Sequence, residues 1–185
     1  MRGPAHGASS DGRSRLMASL LSSISWNVKM AEMWASRARK RLESPDLESG
    51  LFGLIEVEAA WRNLVAAVVA EVLSVALNSQ SPQYVGTAEL LSIEIDDVVK
   101  WGVNIADSDK AMRVLRIVIG GLCGFEEKSP LCSAAYELYH VGGEILKLSG
   151  GKKENTADSI IKEGLKILAQ IEDVIRTLLN RTWDT

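Results

Sequence analysis

The stretch Glu137-Leu-Tyr-His140-Val-Gly-Gly-Glu144 holds the residues of this sequence that are best suited to chemistry. Glu137 and His140 are three positions apart, so on a helix their side chains share one face. This Glu-x-x-His spacing occurs in the carboxylate-bridged di-metal sites of four-helix bundles. Such a site needs further carboxylates, which Glu58 and Glu71 on an apolar helix could supply. One hypothesis is therefore a metal site made of Glu58, Glu71, Glu137 and His140.

The hydrophobic pattern around this motif favours a simpler interpretation. Glu137 and His140 lie beside an apolar helical stripe, formed by Ala134, Leu138, Val141 and Ile145, and no second Glu-x-x-His occurs. Glycine inside a helix is destabilising relative to alanine, so the Gly142-Gly143 pair indicates either a bend in the helix or, as we expect, close packing against a neighbour. The small residues of the Ala-rich second helix are the expected neighbour. We therefore expect a solvent-exposed helix face beside a packing notch, meaning a glycine site where a neighbouring helix comes close. We expect no metal or other cofactor there.

Other catalytic chemistries lack the necessary residues. His140 is the single histidine outside residues 1–16, so the spacing supports no Ser-His-Asp or Cys-His arrangement. The sequence also contains no GxxxxGK[ST] phosphate loop. Cys123 and Cys132 are not in a CxxC pattern, so they predict buried thiols of a cytoplasmic protein, with a local disulfide as the alternative. The net charge of −3 gives no field that would attract nucleic acid or a membrane surface, and no membrane partner is expected.

Hydrophobic spacing follows the 3-4 alternation of helix faces and predicts an all-α protein. Four long and two shorter helices are expected, arranged as a four-helix up-and-down bundle with the shorter pair packed across it. The third helix is predicted to begin after Thr87, and Gly120-Gly121 to end the fourth. Residues 1–16, rich in Gly, Ser and Arg, are expected to be a disordered lead-in or a non-native remnant. Residues 17–185 form one predicted domain.

Two charged groups merit attention besides the histidine motif. Glu58 lies on the predicted buried face of the second helix and, four residues before Arg62, predicts an intrahelical buried polar pair. The first helix ends in a basic cluster that could contact phosphate, formed by Arg37, Arg39, Lys40 and Arg41. Cations at a helix C-terminus also complement the helix dipole, which is the simpler explanation of the cluster.

The layout AEMWASRARKRLESPDLESG followed by EVEAAWRNLVAAVVAEVL resembles the HEPN superfamily, in particular the archaeal PaREP-type proteins. The later stretch LCSAAYELYHVGGEILKL lies where that group has a Leu- and His-containing helix. The resemblance implies a helical bundle that often dimerises and that has RNase activity in some members. Catalytic members carry an Arg, then four to six intervening residues, then a His, but the corresponding positions 133–135 before His140 are Ser, Ala and Ala. The resemblance therefore implies a non-catalytic branch.

These observations predict a non-enzymatic protein that works by association, as a homodimer or with a protein partner. Aromatic side chains dominate interface energetics, so the expected anchors are Trp26, Trp34 and Trp61. Two alternatives stay open. One is an RNA-associated helical module, either a degenerate HEPN ribonuclease or a small subunit of a nucleic-acid-guided complex. The other is the carboxylate–histidine metal-binding bundle.

Overall fold

The part of the chain described by the computed structural model, residues 3–95, 102–124, 129–150 and 156–180, is all-helical and contains no strand. Six α-helices follow one another, and the fourth continues directly into a π-helical segment, Ile119–Cys123. The α-helices are α1 (Gly3–Leu42), α2 (Leu47–Asn78), α3 (Pro82–Glu94), α4 (Ser108–Val118), α5 (Pro130–Ser149) and α6 (Ala157–Leu179). The predicted all-α class is therefore confirmed.

Side-chain caps fix most of the helix starts. Asp46, Asp107, Ser129 and Thr156 each accept a hydrogen bond from a backbone N–H in the first turn of the helix that follows. The predicted start of α3 was wrong, because Ser81-Pro82 begins that helix and Thr87 is buried within it. Proline at the first helical position has no N–H that needs a partner, which favours this earlier start.

Helix α2 is the central helix of the fold. It contacts α1 along much of its length and also packs on α3, α4, α5 and α6. From Leu64 to Val72 every residue is buried. Among the described residues α2 alone is long and apolar enough to cross a membrane, but 67% of its most apolar window is buried by the other helices. This burial accounts for a helix that is apolar nearly all round.

Helix α1 packs on α2 and α6 through one stripe of small and branched side chains, formed by Leu20, Ile24, Val28, Ala31, Ala35, Ala38 and Leu42. The steps of 4, 4, 3, 4, 3 and 4 residues keep these side chains on one face. Its described helix starts at Gly3, inside the segment for which the sequence predicts a disordered lead-in. Leu16, the last residue of that segment, packs against the core.

The two cysteines form a disulfide, so the expectation of free buried thiols was wrong. Cys123 ends the π-helical segment and Cys132 lies in the first turn of α5, with their Cα atoms 5.5 Å apart. The predicted stop at Gly120-Gly121 was also wrong, because the chain stays helical through Cys123. Gly121 lies directly against Thr87 of α3, where a Cβ atom would collide with the threonine hydroxyl. The bond and this contact hold the segment against α5 and α3.

Candidate functional site

The three tryptophans predicted as interface anchors lie in three different environments. Trp61 is fully buried, and its indole N–H donates a hydrogen bond to the Leu138 carbonyl at 2.8 Å. It is therefore a core residue, and the prediction that it anchors an interface was wrong. Trp34 is half-buried against the core, whereas Trp26 is 62% exposed. Only Trp26 and Trp34 offer surface to a partner.

Gly142 is the packing notch predicted beside the histidine motif. A Cβ atom there would come within 2.9 Å of Trp61 Cε2 and 2.6 Å of Met112 Sδ. Helix α5 thus approaches α2, as expected, but through the indole of Trp61 instead of an alanine surface. A Cβ atom at Gly143 would have no neighbouring atom within 4 Å, so the two adjacent glycines differ in what they contact.

The residues of the hypothetical metal site are not brought together. His140 is exposed and Glu137 half-buried on α5, whereas Glu71 is buried in α2. No group of three or more His, Cys, Asp or Glu side chains in the described ranges could hold a metal ion. Glu144, the last residue of the motif, pairs with Lys147 on its own helix at 3.9 Å. The Glu-x-x-His motif is therefore a solvated face beside the Gly142 notch.

The pair Glu58 and Arg62 exists, but it is half-buried and includes a third residue. Arg62 Nη1 lies 3.9 Å from a Glu58 carboxylate oxygen. Ser108, at the start of α4, donates its hydroxyl to Glu58 at 2.7 Å and accepts from Arg62 at 3.1 Å. The trio attaches the N-terminus of α4 to α2, which is a structural role. The buried carboxylates of α2 are instead those of Glu56 and Glu71.

Two of the four cations in the basic cluster are paired with carboxylates. Arg39 binds both carboxylate oxygens of Glu172 on α6, with Nε 3.3 Å from Oε2. This hydrogen bond, more than the nearby negative charge, raises the pKa of Arg39 above its ordinary value. Arg41 forms an ion pair with the buried Glu56 of α2. These two residues therefore hold α1 to its neighbours, which leaves little of the cluster to contact phosphate.

An exposed apolar surface lies beside these ion pairs. Arg37 stacks over Trp34 and Arg41 over Phe52, each with the guanidinium carbon 5.4 Å from a ring centroid. Trp34, Arg37 and Arg41 are on one side of α1, because they are spaced by three and four residues. The second stack joins this side of α1 to α2. We call the resulting surface the apolar face and define it as Met33, Trp34, Leu47, Leu51, Phe52 and Ile55.

The α2 part of the apolar face departs from the sequence prediction. Periodicity predicts that Leu47 and Leu51 lie on the buried stripe of α2, but both are exposed, and Ile55 is 59% exposed. In this part of α2 the buried positions are Gly50, Gly53, Leu54, Glu56 and Val57, so the buried side is rotated by about one residue from the predicted stripe. Gly53 allows the close approach, since a Cβ atom there would come within 2.9 Å of Leu42, whereas a Cβ atom at Gly50 would make only ordinary contacts with Ile160 and Ile161. The small size of Gly53 is the sequence signal that locates the buried side.

Trp26 belongs to a different surface. It lies two helical turns before Trp34, roughly 12 Å along the axis of α1. There it lines an open polar groove with Asn27 on α1, Asn63 on α2 and Asn104 in the segment before α4.

No protein-family model, curated protein or solved structure matches this chain. Its function must therefore be inferred from the surfaces described above.

Proposed function

We propose that this protein is a non-enzymatic helical interaction protein that forms a homodimer through the apolar face. The observation that carries the proposal is the exposure of Leu47, Leu51, Phe52 and Ile55 along one side of the first turns of α2. The stack of Arg41 on Phe52 links this group to α1, which carries the half-buried Trp34. Contiguous exposed apolar surface marks interaction sites in soluble proteins. Tryptophan and arginine are also the residue types most enriched among interface hot spots.

The size of the apolar face is consistent with the centre of a dimer interface. Its exposed side chains present an apolar area on the order of 500 Å², which is in the range of functional patches. A standard interface covers about 800 Å² on each partner, so a surrounding polar rim must contribute the remainder. Arg37, Lys40 and Arg41 border the face on α1 and can provide part of that rim.

Charge on the apolar face favours a second copy of the chain as the partner. The α1 border is cationic, whereas the exposed Glu48 lies on α2 between the positions of Leu47 and Leu51. In a two-fold arrangement the same patch meets itself, so the arginine border of one copy can lie against Glu48 of the other. The face thus carries both signs of charge around an apolar centre, as a self-complementary surface requires.

The test is the oligomeric state of two matched variants. Wild-type protein should sediment as a dimer at micromolar concentration, and Ile55→Glu should weaken the dimer at least about tenfold, because a charge would be buried at its centre. Ile93→Glu on α3 is the control, since Ile93 is 76% exposed and lies outside the apolar face. Circular dichroism should show both variants folded.

Two results would refute the proposal. A monomeric wild type throughout the micromolar range would remove the dimer. Dissociation by Ile93→Glu, with Ile55→Glu still dimeric, would place the interface on α3 instead.

The finer architecture belongs to the same proposal. We infer a four-helix up-and-down bundle of α1, α2, α5 and α6, with α3 and α4 packed across α2. Supporting contacts join α1 to α2 and α6, α2 to α5 and α6, and α5 to α6.

Kinship with a non-catalytic HEPN branch is supported by the long α1, the break at Asp46 and the Ala-rich α2. We also propose a cytoplasmic location. The disulfide argues against this location, because such bonds persist mainly in oxidising compartments.

A further inference from the structure

The polar groove at Trp26 has a wall that is firmly fixed to α1. Ser23 accepts a hydrogen bond from the Val103 N–H at 2.9 Å, and Asn27 donates one to the Val103 carbonyl at 3.0 Å. Gly102 has a φ of +73°, and a Cβ atom there would come within 2.9 Å of Ser23. The segment that follows Gly102 is therefore held against α1 by side-chain bonds and close contact. A groove with such a wall is formed before any ligand arrives.

The groove presents hydrogen-bond acceptors from two amides with fixed orientation. Asn27 is 4% exposed. Its Nδ2 donates to the carbonyls of Ser23 and Val103, which fixes the orientation of the amide and identifies the remaining atom as the acceptor Oδ1. Within the described residues this Oδ1 has no hydrogen-bond partner, yet it is not among the side-chain atoms sealed from solvent. Asn63 Nδ2 donates to the Ala59 carbonyl at 2.9 Å, which leaves its Oδ1 available too. A ligand with hydrogen-bond donors can therefore pair with both oxygens.

The lining of the groove carries no charged side chain among the described residues. It consists of serine hydroxyls, asparagine amides and the apolar side chains of Trp26, Met30 and Val103. Phosphate and carboxylate ligands are commonly held by a cation, and ammonium ligands by a carboxylate, so the described part of the lining favours a neutral ligand. The exposed indole of Trp26 offers a flat apolar wall. A neutral ring with several O–H donors and a C–H face fits both features.

We propose that this groove binds a neutral saccharide. One face of the sugar ring lies on Trp26, while its hydroxyls donate to Asn27 and Asn63 and exchange hydrogen bonds with Ser19 and Ser22. The groove has a volume of about 820 Å³, which is in the usual range for small-ligand sites and leaves room for more than one ring. The proposal is independent of the dimer, because none of these residues belongs to the apolar face.

The experiment uses the full chain and a panel of neutral sugars: glucose, galactose, mannose, N-acetylglucosamine and their β-linked disaccharides. Saturation-transfer NMR and tryptophan fluorescence titration should detect at least one of them with a millimolar Kd. Trp26→Ala should weaken that binding at least about tenfold, since stacking on an exposed aromatic ring is lost. Asn63→Leu, which keeps the side-chain volume, should weaken it by removing an acceptor. Binding should change less than about twofold when salt is raised, because the ligand is uncharged.

Matched controls separate this site from the dimer. Trp34→Ala makes the same substitution on the apolar face and should leave sugar binding unchanged, as should Ile55→Glu. Adenosine and cytidine, tested in parallel, are uncharged rings that stack on aromatic side chains. Binding of these nucleosides without any sugar would overturn the proposal in favour of a nucleobase site. Absence of sugar binding, or binding that survives Trp26→Ala, would overturn it as well.

Discussion

Substituting the two adjacent glycines of α5 by alanine should change stability in opposite directions. At Gly143 nothing lies within 4 Å of an added Cβ, so alanine should stabilise the protein by about 0.5–1 kcal/mol through helix propensity. At Gly142 the same carbon would collide with the Trp61 indole and with Met112 Sδ. Met112 can move, since its side chain is long and flexible. Trp61 cannot, because it is fully buried and hydrogen-bonded to Leu138.

The magnitude follows from these contacts. Overpacking a core typically costs about 1–3 kcal/mol, which exceeds the propensity gain. We therefore expect Gly142→Ala to be destabilised by about 1–2 kcal/mol and to differ in stability from Gly143→Ala by about 1.5–3 kcal/mol. For a chain of this size that difference corresponds to a melting temperature gap on the order of 5–10 °C.

Urea unfolding followed by circular dichroism and by tryptophan fluorescence measures both variants. The fluorescence of Gly142→Ala should also change in the folded state, because the environment of the Trp61 ring is disturbed. Gly143→Ala is the matched control, with the same substitution one residue away. If Gly142→Ala were as stable as Gly143→Ala, close packing of α5 on Trp61 would be refuted.

Two further predictions concern the ends of α4 and α5. Alkylation before and after reduction, followed by intact-mass measurement, should show that Cys123 and Cys132 do not react with the alkylating reagent until reductant is added. Reduction should destabilise the protein by about 2–3 kcal/mol, the loop-entropy value for so short a loop; thiols that alkylate without reductant would contradict the bond. Ser108→Ala should cost about 1 kcal/mol in urea unfolding, because Glu58 and Arg62 lose their shared hydroxyl partner. An unchanged unfolding midpoint would mean that this trio does not hold α4 to α2.

Much of the helical layout could be predicted from sequence, because its causes are local. Asp107, Ser129 and Thr156 cap helices from neighbouring positions, and Ser44-Pro45 separates α1 from α2. Where two local signals competed, the prediction failed. Thr87 resembles a helix cap as closely as Ser81 does, and only the buried contact with Gly121 shows that it lies inside α3.

The candidate sites depended on tertiary structure, since spacing along one helix does not say which neighbour lies opposite. Sequence alone determined that α2 is the central helix, because its side chains are apolar on nearly every face and must be covered from all sides. It also determined that a notch occurs near Gly142. Only the register between helices decided that Trp61 fills this notch and that Arg39 and Arg41 pair with Glu172 and Glu56.

The same register decided which apolar residues stay exposed. Rotating α2 by one residue at its N-terminal end turns Gly50 and Gly53 inward and leaves Leu51 and Ile55 in solvent. Periodicity cannot resolve so small a rotation, because hydrophobic side chains lie on both sides of the stripe. Close contact between helices resolves it, since only glycine fits where Leu42 presses against α2.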